Sequence, residues 1–177
     1  MSILKSICLI FFILILAALE LSSPLIPTEV SLIFILAILF LIESGKDKIV
    51  KYIFLISICG GVLLDVYSIF PPGLFTLSLI LTSYFCYKFL LSKFNLNKSL
   101  SIFVFSLVAG LVYQAFILLI SQFFYLINLS DLRIGFNKFY WSSLFQSIFF
   151  NTLLITLFSF LIGLIGLKYK KYKGINI

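Results

Sequence analysis

Apolar stretches of membrane-spanning length, joined by short lysine-rich connections, restrict this chain more than any other feature of its sequence. The runs cover approximately residues 6–23, 30–43, 49–68, 73–91, 100–127 and 141–167. Crossing the hydrocarbon core as a helix takes about 20 apolar residues, whereas a spanning barrel shows short segments of alternating character. Nothing here alternates in that way, so the pattern predicts helices. A water-soluble surface is out of reach as well. Only 11% of the 177 residues are charged and 63% are hydrophobic, where a soluble domain carries roughly a quarter charged. The expectation is an all-α, polytopic membrane protein with a single transmembrane domain over residues 1–177.

The first run follows Lys5 and closes at Glu20 and Pro24. A basic start and a short apolar core are also features of a secretion signal, but no A-x-A-like cleavage site follows and the next run begins almost at once. It reads as an uncleaved first span. The second run is short, and a full crossing there needs local thinning or snorkelling; a partial span stays open. The last two runs exceed the required length, so they tilt or extend beyond the lipid. The two halves show no sequence repeat of the kind that marks inverted-repeat transporters.

Lysine placement sets the orientation. Lys5, then Lys46, Lys48 and Lys51, then Lys88, Lys93 and Lys98, then Lys168, Lys170, Lys171 and Lys173 fall on alternate connections. The intervening connections carry Glu20 and Glu29, then no charge, then Asp131, Arg133 and Lys138. Six spans with both termini in the cytoplasm put eleven of the thirteen basic residues inside.

The formal charge of +7 does not point to nucleic acid, because the lysines sit between apolar runs rather than on one soluble face. They match anionic lipid headgroups instead, most of all in the tail Lys168–Lys173. Cys8, Cys59 and Cys86 lie inside apolar runs without CxxC spacing and read as buried thiols. With no histidine in the chain, imidazole catalysis and His-ligated metals are excluded. No cofactor or metal is expected, and the clustered acids or nucleophiles of a membrane enzyme are missing.

One stretch stands out. Gly60-Gly61-Val62-Leu63-Leu64-Asp65 is followed, after Val66-Tyr67-Ser68-Ile69-Phe70, by Pro71-Pro72-Gly73. Asp65 is the one acid within an apolar run rather than at its edge. It falls about 21 Å along its helix from Lys51, near the outer boundary, where burying a carboxylate costs less than at the midplane. Two compatible roles are open: capping the next helix through its backbone N–H groups, or facing a cavity or a partner. Pro71 and Pro72 stop one helix and suit the first turn of the next, and Gly73 permits a tight approach. Small residues recur four apart at Ser57/Gly61, Ser106/Gly110 and Ser159/Gly163, a spacing that lets helices pack closely in lipid. Gln114, Gln122, Gln146 and Asn151 read as hydrogen-bonding positions between the last spans. Tyr140 and Trp141 read as interfacial anchors.

The stretch Gly61-Val-Leu-Leu-Asp65-Val66, with Pro71-Pro72-Gly73-Leu74-Phe75-Thr76-Leu77, resembles the MreD family of rod shape-determining membrane proteins. Position 72 departs from the family's pattern, which often has an apolar residue between the proline and the glycine. Elsewhere the resemblance is one of length and topology. It implies a non-catalytic scaffold in the bacterial cytoplasmic (inner) membrane. Such a scaffold binds the bitopic protein MreC and helps couple MreB filaments to peptidoglycan synthesis by RodA and a class B penicillin-binding protein. Gly61, Asp65, Pro71, Pro72 and Gly73 would then be structural or partner-binding positions. The overall architecture is similar to the substrate-binding subunit of energy-coupling-factor vitamin transporters, which is the alternative function. Against that alternative, the first span offers only adjacent Ala17 and Ala18 where such subunits carry small residues four apart.

Overall fold

The computed structural model describes residues 31–44, 50–68, 70–91, 93–94, 99–129 and 138–172. Five helices occupy them: α1 (Leu32–Ser44), α2 (Val50–Tyr67), α3 (Leu74–Phe85, continued by a π-helical turn Cys86–Leu90), α4 (Ser99–Leu126) and α5 (Lys138–Tyr172). The expected run over residues 6–23 lies outside the described residues, as do Lys46, Lys48, Lys98, Arg133 and Lys173. No strand occurs among the described residues.

The helix ends follow from local chemistry. Ser31 caps α1, its hydroxyl accepting the Phe34 N–H at 3.4 Å, and its own N–H is donated to Asn151 Oδ1 at 3.1 Å. At the end of α2 the Ser68 hydroxyl donates to the Asp65 carbonyl at 3.3 Å, and Pro71 bars further helix. The π turn is closed by Leu91 N–H donating to the Cys86 carbonyl, five residues back. Helix α4 ends in a Schellman motif: Asn128 adopts a left-handed φ of 56°, while Leu129 N–H reaches the Phe124 carbonyl and Asn128 N–H the Tyr125 carbonyl. Asparagine tolerates that conformation where glycine is absent.

Helices α2, α3, α4 and α5 follow one another side by side, and α1 packs against all four. Residues Ile33 to Ile38 of α1 are buried without interruption, as expected of a helix apolar on every side. At 13 residues it is about 20 Å long. Shortness and centrality go together, since the second apolar run is the post around which the longer helices stand. Phe34 stacks on Tyr113 of α4, with ring centroids 4.7 Å apart.

Two helices, over Ser99–Leu126 and Trp141–Gly163, are long and apolar enough to cross a membrane. Only a third of the most apolar window of each is buried, unlike the core helix of a soluble protein. Their outward residues are large and apolar, including Leu119 at 64% exposure, Phe149 at 60% and Phe160 at 55%. The interior holds the hydroxyls: Ser57, Ser78, Thr82, Ser83, Ser106 and Ser121 are all buried. Ser78 and Thr82 donate to carbonyls four residues back in their own helix. Helix α5 begins three residues before the expected start at Trp141 and runs five beyond the expected end at Leu167, carrying Lys168, Lys170 and Lys171 on a continuous backbone helix.

Candidate functional site

The Asp65 stretch folds into one corner between α2 and α3. Pro71 accepts the Leu74 N–H at 3.2 Å, closing a four-residue turn with Pro72 and Gly73 at its centre. Gly73, at φ 96° and ψ −12°, has the third-position geometry of a type II turn, which requires a positive φ there and favours proline before it. Both prolines therefore precede the cap. Neither lies in the first turn of the next helix, which starts at Leu74. The departure at position 72 suits this turn.

Gly73 is the N-cap residue of α3 and has no side chain to cap it. Asp65 supplies the missing acceptor from the neighbouring helix. Its Oδ1 accepts the Phe75 N–H at 2.8 Å; its Oδ2 accepts the Thr76 N–H at 3.1 Å and the Thr76 hydroxyl. Asp65 is 7% exposed. The N-terminus of α3 offers unsatisfied donors and a positive dipole end, both suited to a carboxylate. Of the two roles open to Asp65, the structure shows the cap.

Gly61 stands one helical turn before Asp65 on the same face of α2. A Cβ there would lie 2.5 Å from the Thr76 Cα. Its hydrogen is what lets the start of α3 come close enough for the carboxylate to reach. Gly60 plays the same part toward α1, where a Cβ would lie 2.3 Å from Ile33 Cγ2. A turn earlier, Ser57 Oγ and Ser83 Oγ share a hydrogen bond of 2.8 Å across α2 and α3. Thus Gly61, Asp65, Pro71, Pro72 and Gly73 come together. Thr76 completes the set and was not singled out in the sequence; its signal was a hydroxyl three residues after the turn glycine, at a position that faces a cap.

The other pairs of small residues divide. Gly110 lets α4 approach α5, its notional Cβ falling 3.6 Å from Ile148 Cγ2. Among the described residues, Gly163 faces open space and the buried Ser159 hydroxyl has no hydrogen-bond partner. The last pair is no packing site within the described residues. Between α4 and α5, Gln114 Nε2 donates to Ser147 Oγ at 3.0 Å, and within α5 Asn151 Nδ2 donates to the same oxygen at 3.3 Å. Gln114 thus makes the expected inter-helix bond, Asn151 reaches another element through the Ser31 N–H before α1, and Gln146 is exposed.

A groove of about 640 Å³ runs between α4 and α5, walled by Phe103 and Leu107 on one side and by Phe149, Thr152, Leu157 and Phe160 on the other. Asp65 takes no part in it. Cys59 and Cys86 are free thiols, and no group of three His, Cys, Asp or Glu capable of holding a metal occurs among the described residues. Comparison with protein-family models, curated proteins and solved structures yields no match.

Proposed function

We propose that this chain is a membrane scaffold of the MreD kind: six spans, both termini in the cytoplasm, seated in the bacterial inner membrane and without catalysis of its own. The observation that carries the reading is the α2–α3 corner, in which the motif residues Gly61, Asp65 and Pro71–Gly73 form one fastening around the buried carboxylate. A scaffold needs a rigid surface rather than a reactive pocket, and this corner makes two helices into one unit. That unit carries apolar stripes at helical spacing, with Ile58, Val62 and Val66 on α2 and Leu77, Leu81 and Tyr84 on α3 exposed. Stripes at i, i+4 and i+7 or i+8 are what a partner's single span packs against in lipid.

The mechanism is lateral binding. An MreC-like bitopic protein lays its span along the α2–α3 face, whose outer end is shaped by the Asp65 turn, and through it the scaffold joins MreB, RodA and the class B penicillin-binding protein. The test is co-expression with the bitopic partner and purification in mild detergent. The partner is expected to be retained, and a photo-crosslinking residue at Val62 to capture it while one at Phe149 does not. Loss of the partner under conditions that hold other elongation contacts overturns the proposal.

A further inference from the structure

The groove between α4 and α5 has a width and a polarity that suit an apolar chain. The two helices meet where Gly110 faces Ile148. All the α4 residues of the groove precede Gly110, and on α5 it extends past Ile148 as far as Phe160, so it opens toward the start of α4 and the end of α5. Its α4 wall, Ser99 to Leu107, is about 12 Å long and its α5 wall, Phe145 to Phe160, about 22 Å. Spread over those lengths, 640 Å³ gives a cross-section of roughly 30–50 Å². A hydrocarbon chain, whose carbons pack about 4 Å from their neighbours, fills roughly 20 Å² and fits within it.

Little in the groove can bind a polar group. The Thr156 hydroxyl donates to the Thr152 carbonyl at 2.8 Å, and the other polar groups of the lining are Ser99 and the buried Thr152 hydroxyl, which has no hydrogen-bond partner among the described residues. Charge gathers at the open end. There Lys88, in the last turn of α3, and Lys93, just beyond it, are exposed, and α5 continues from Phe160 through Lys168, Lys170 and Lys171. The distance along α5 from Phe160 to those lysines is about 12–17 Å, the depth at which a lipid headgroup stands above its own acyl chains.

We infer that this groove holds one acyl chain of an anionic phospholipid, whose headgroup is held by the lysines at the same end of the bundle. The inference needs the chain to lie in a bilayer and is independent of the partner proposed for the α2–α3 face.

The test uses the full chain in vesicles. Trp141 is the single native tryptophan. In a Trp141→Phe background, one reporter is placed in the groove (Phe160→Trp) and another on the opposite helix pair (Val62→Trp). Each is reconstituted in phosphatidylcholine with an equal mole fraction of either dibrominated phosphatidylglycerol or dibrominated phosphatidylcholine. Quenching at position 160 is expected to favour phosphatidylglycerol at least about fivefold, the effect of one lysine near anionic headgroups. Position 62 is expected to show no preference, and its quenching verifies insertion in every variant. The preference disappears when Lys168, Lys170 and Lys171 are changed to glutamine. It also disappears when the groove is filled by Thr156→Phe or, from the other wall, by Leu107→Phe. Equal quenching by both lipids means ordinary boundary lipid and overturns the inference. So does the absence of quenching at 160, which means a second copy covers the groove, and so does a preference that survives both filling variants.

Discussion

Asp65 and Thr76 are joined twice: one carboxylate oxygen takes both the backbone N–H and the hydroxyl of Thr76, so the end of α2 caps the start of α3. The cap belongs to a different helix from the one it caps. Removing it therefore frees backbone donors and unfastens two elements at once.

Asp65→Ala is expected to lower stability by about 2 kcal/mol, the loss of a cap together with charge-assisted hydrogen bonds. Asp65→Asn, which keeps one acceptor oxygen, is expected to lose roughly half as much. Thr76→Val removes a single hydroxyl bond and falls below both. Equilibrium unfolding in mixed micelles gives the order; an Asp65→Ala protein as stable as Thr76→Val would mean the carboxylate does not cap.

The two adjacent glycines are expected to behave differently although each meets a neighbour closer than 3 Å. At position 61 the neighbour is the Thr76 Cα, part of the backbone, so Gly61→Ala forces the helices apart and no change at Thr76 relieves it. At position 60 the first neighbour is a methyl of Ile33. The combination Gly60→Ala/Ile33→Ala is expected to be less destabilised than the sum of its single variants, a coupling of about 1 kcal/mol or more. Double-variant cycles at both positions read the contrast, and rescue of Gly61→Ala by Thr76→Ala would contradict it.

Ser147 receives both Gln114 and Asn151, and Asn151 in turn accepts the N–H of Ser31 at the start of α1. The Gln114 bond crosses from α4 to α5, and single bonds between helices in lipid contribute about 0.6 kcal/mol. Asn151→Ala is expected to cost two to three times that, because it also leaves the Ser31 N–H without its acceptor. Ser147→Ala together with Asn151→Ala is expected to be less than additive, since their shared bond can be lost only once. Thermal unfolding of the three variants measures it.

The corner was legible in the sequence because its parts are local: an acid in an apolar run and a Pro-Pro-Gly turn need only chain spacing to announce a cap. That the described apolar runs are helical was legible for a similar reason, since long apolar stretches without alternation announce helices. Contacts between distant segments were not. The central position of α1 depends on what surrounds it, and its short run reads equally as a partial span. The contact of Gly60 with Ile33 and that of Gly110 with Ile148 join residues 27 and 38 positions apart, beyond the reach of periodicity. The backbone helix of α5 outruns its apolar run because lysines stop an apolar run without stopping a helix; lysine is a good helix former, and nothing before Tyr172 breaks the backbone pattern.

That continuity makes a test of topology possible on one helix. At 35 residues, α5 is about 52 Å long, against a hydrocarbon core of about 30 Å. If tilt accommodates no more than a few residues of the excess, both ends leave the lipid and must meet water on opposite sides. Cysteines placed singly along α5 are therefore expected to show a silent stretch of about 20–25 residues toward an impermeant maleimide. Lys138→Cys reacts in intact cells and Tyr169→Cys only after permeabilisation. On the proposed topology, which puts the lysine-bearing connections on the cytoplasmic side, Thr28→Cys should behave as the first and Lys46→Cys as the second. Labelling of Tyr169→Cys in intact cells would reverse the orientation, and with it both the side on which the Asp65 corner lies and the side from which the lysines meet a headgroup.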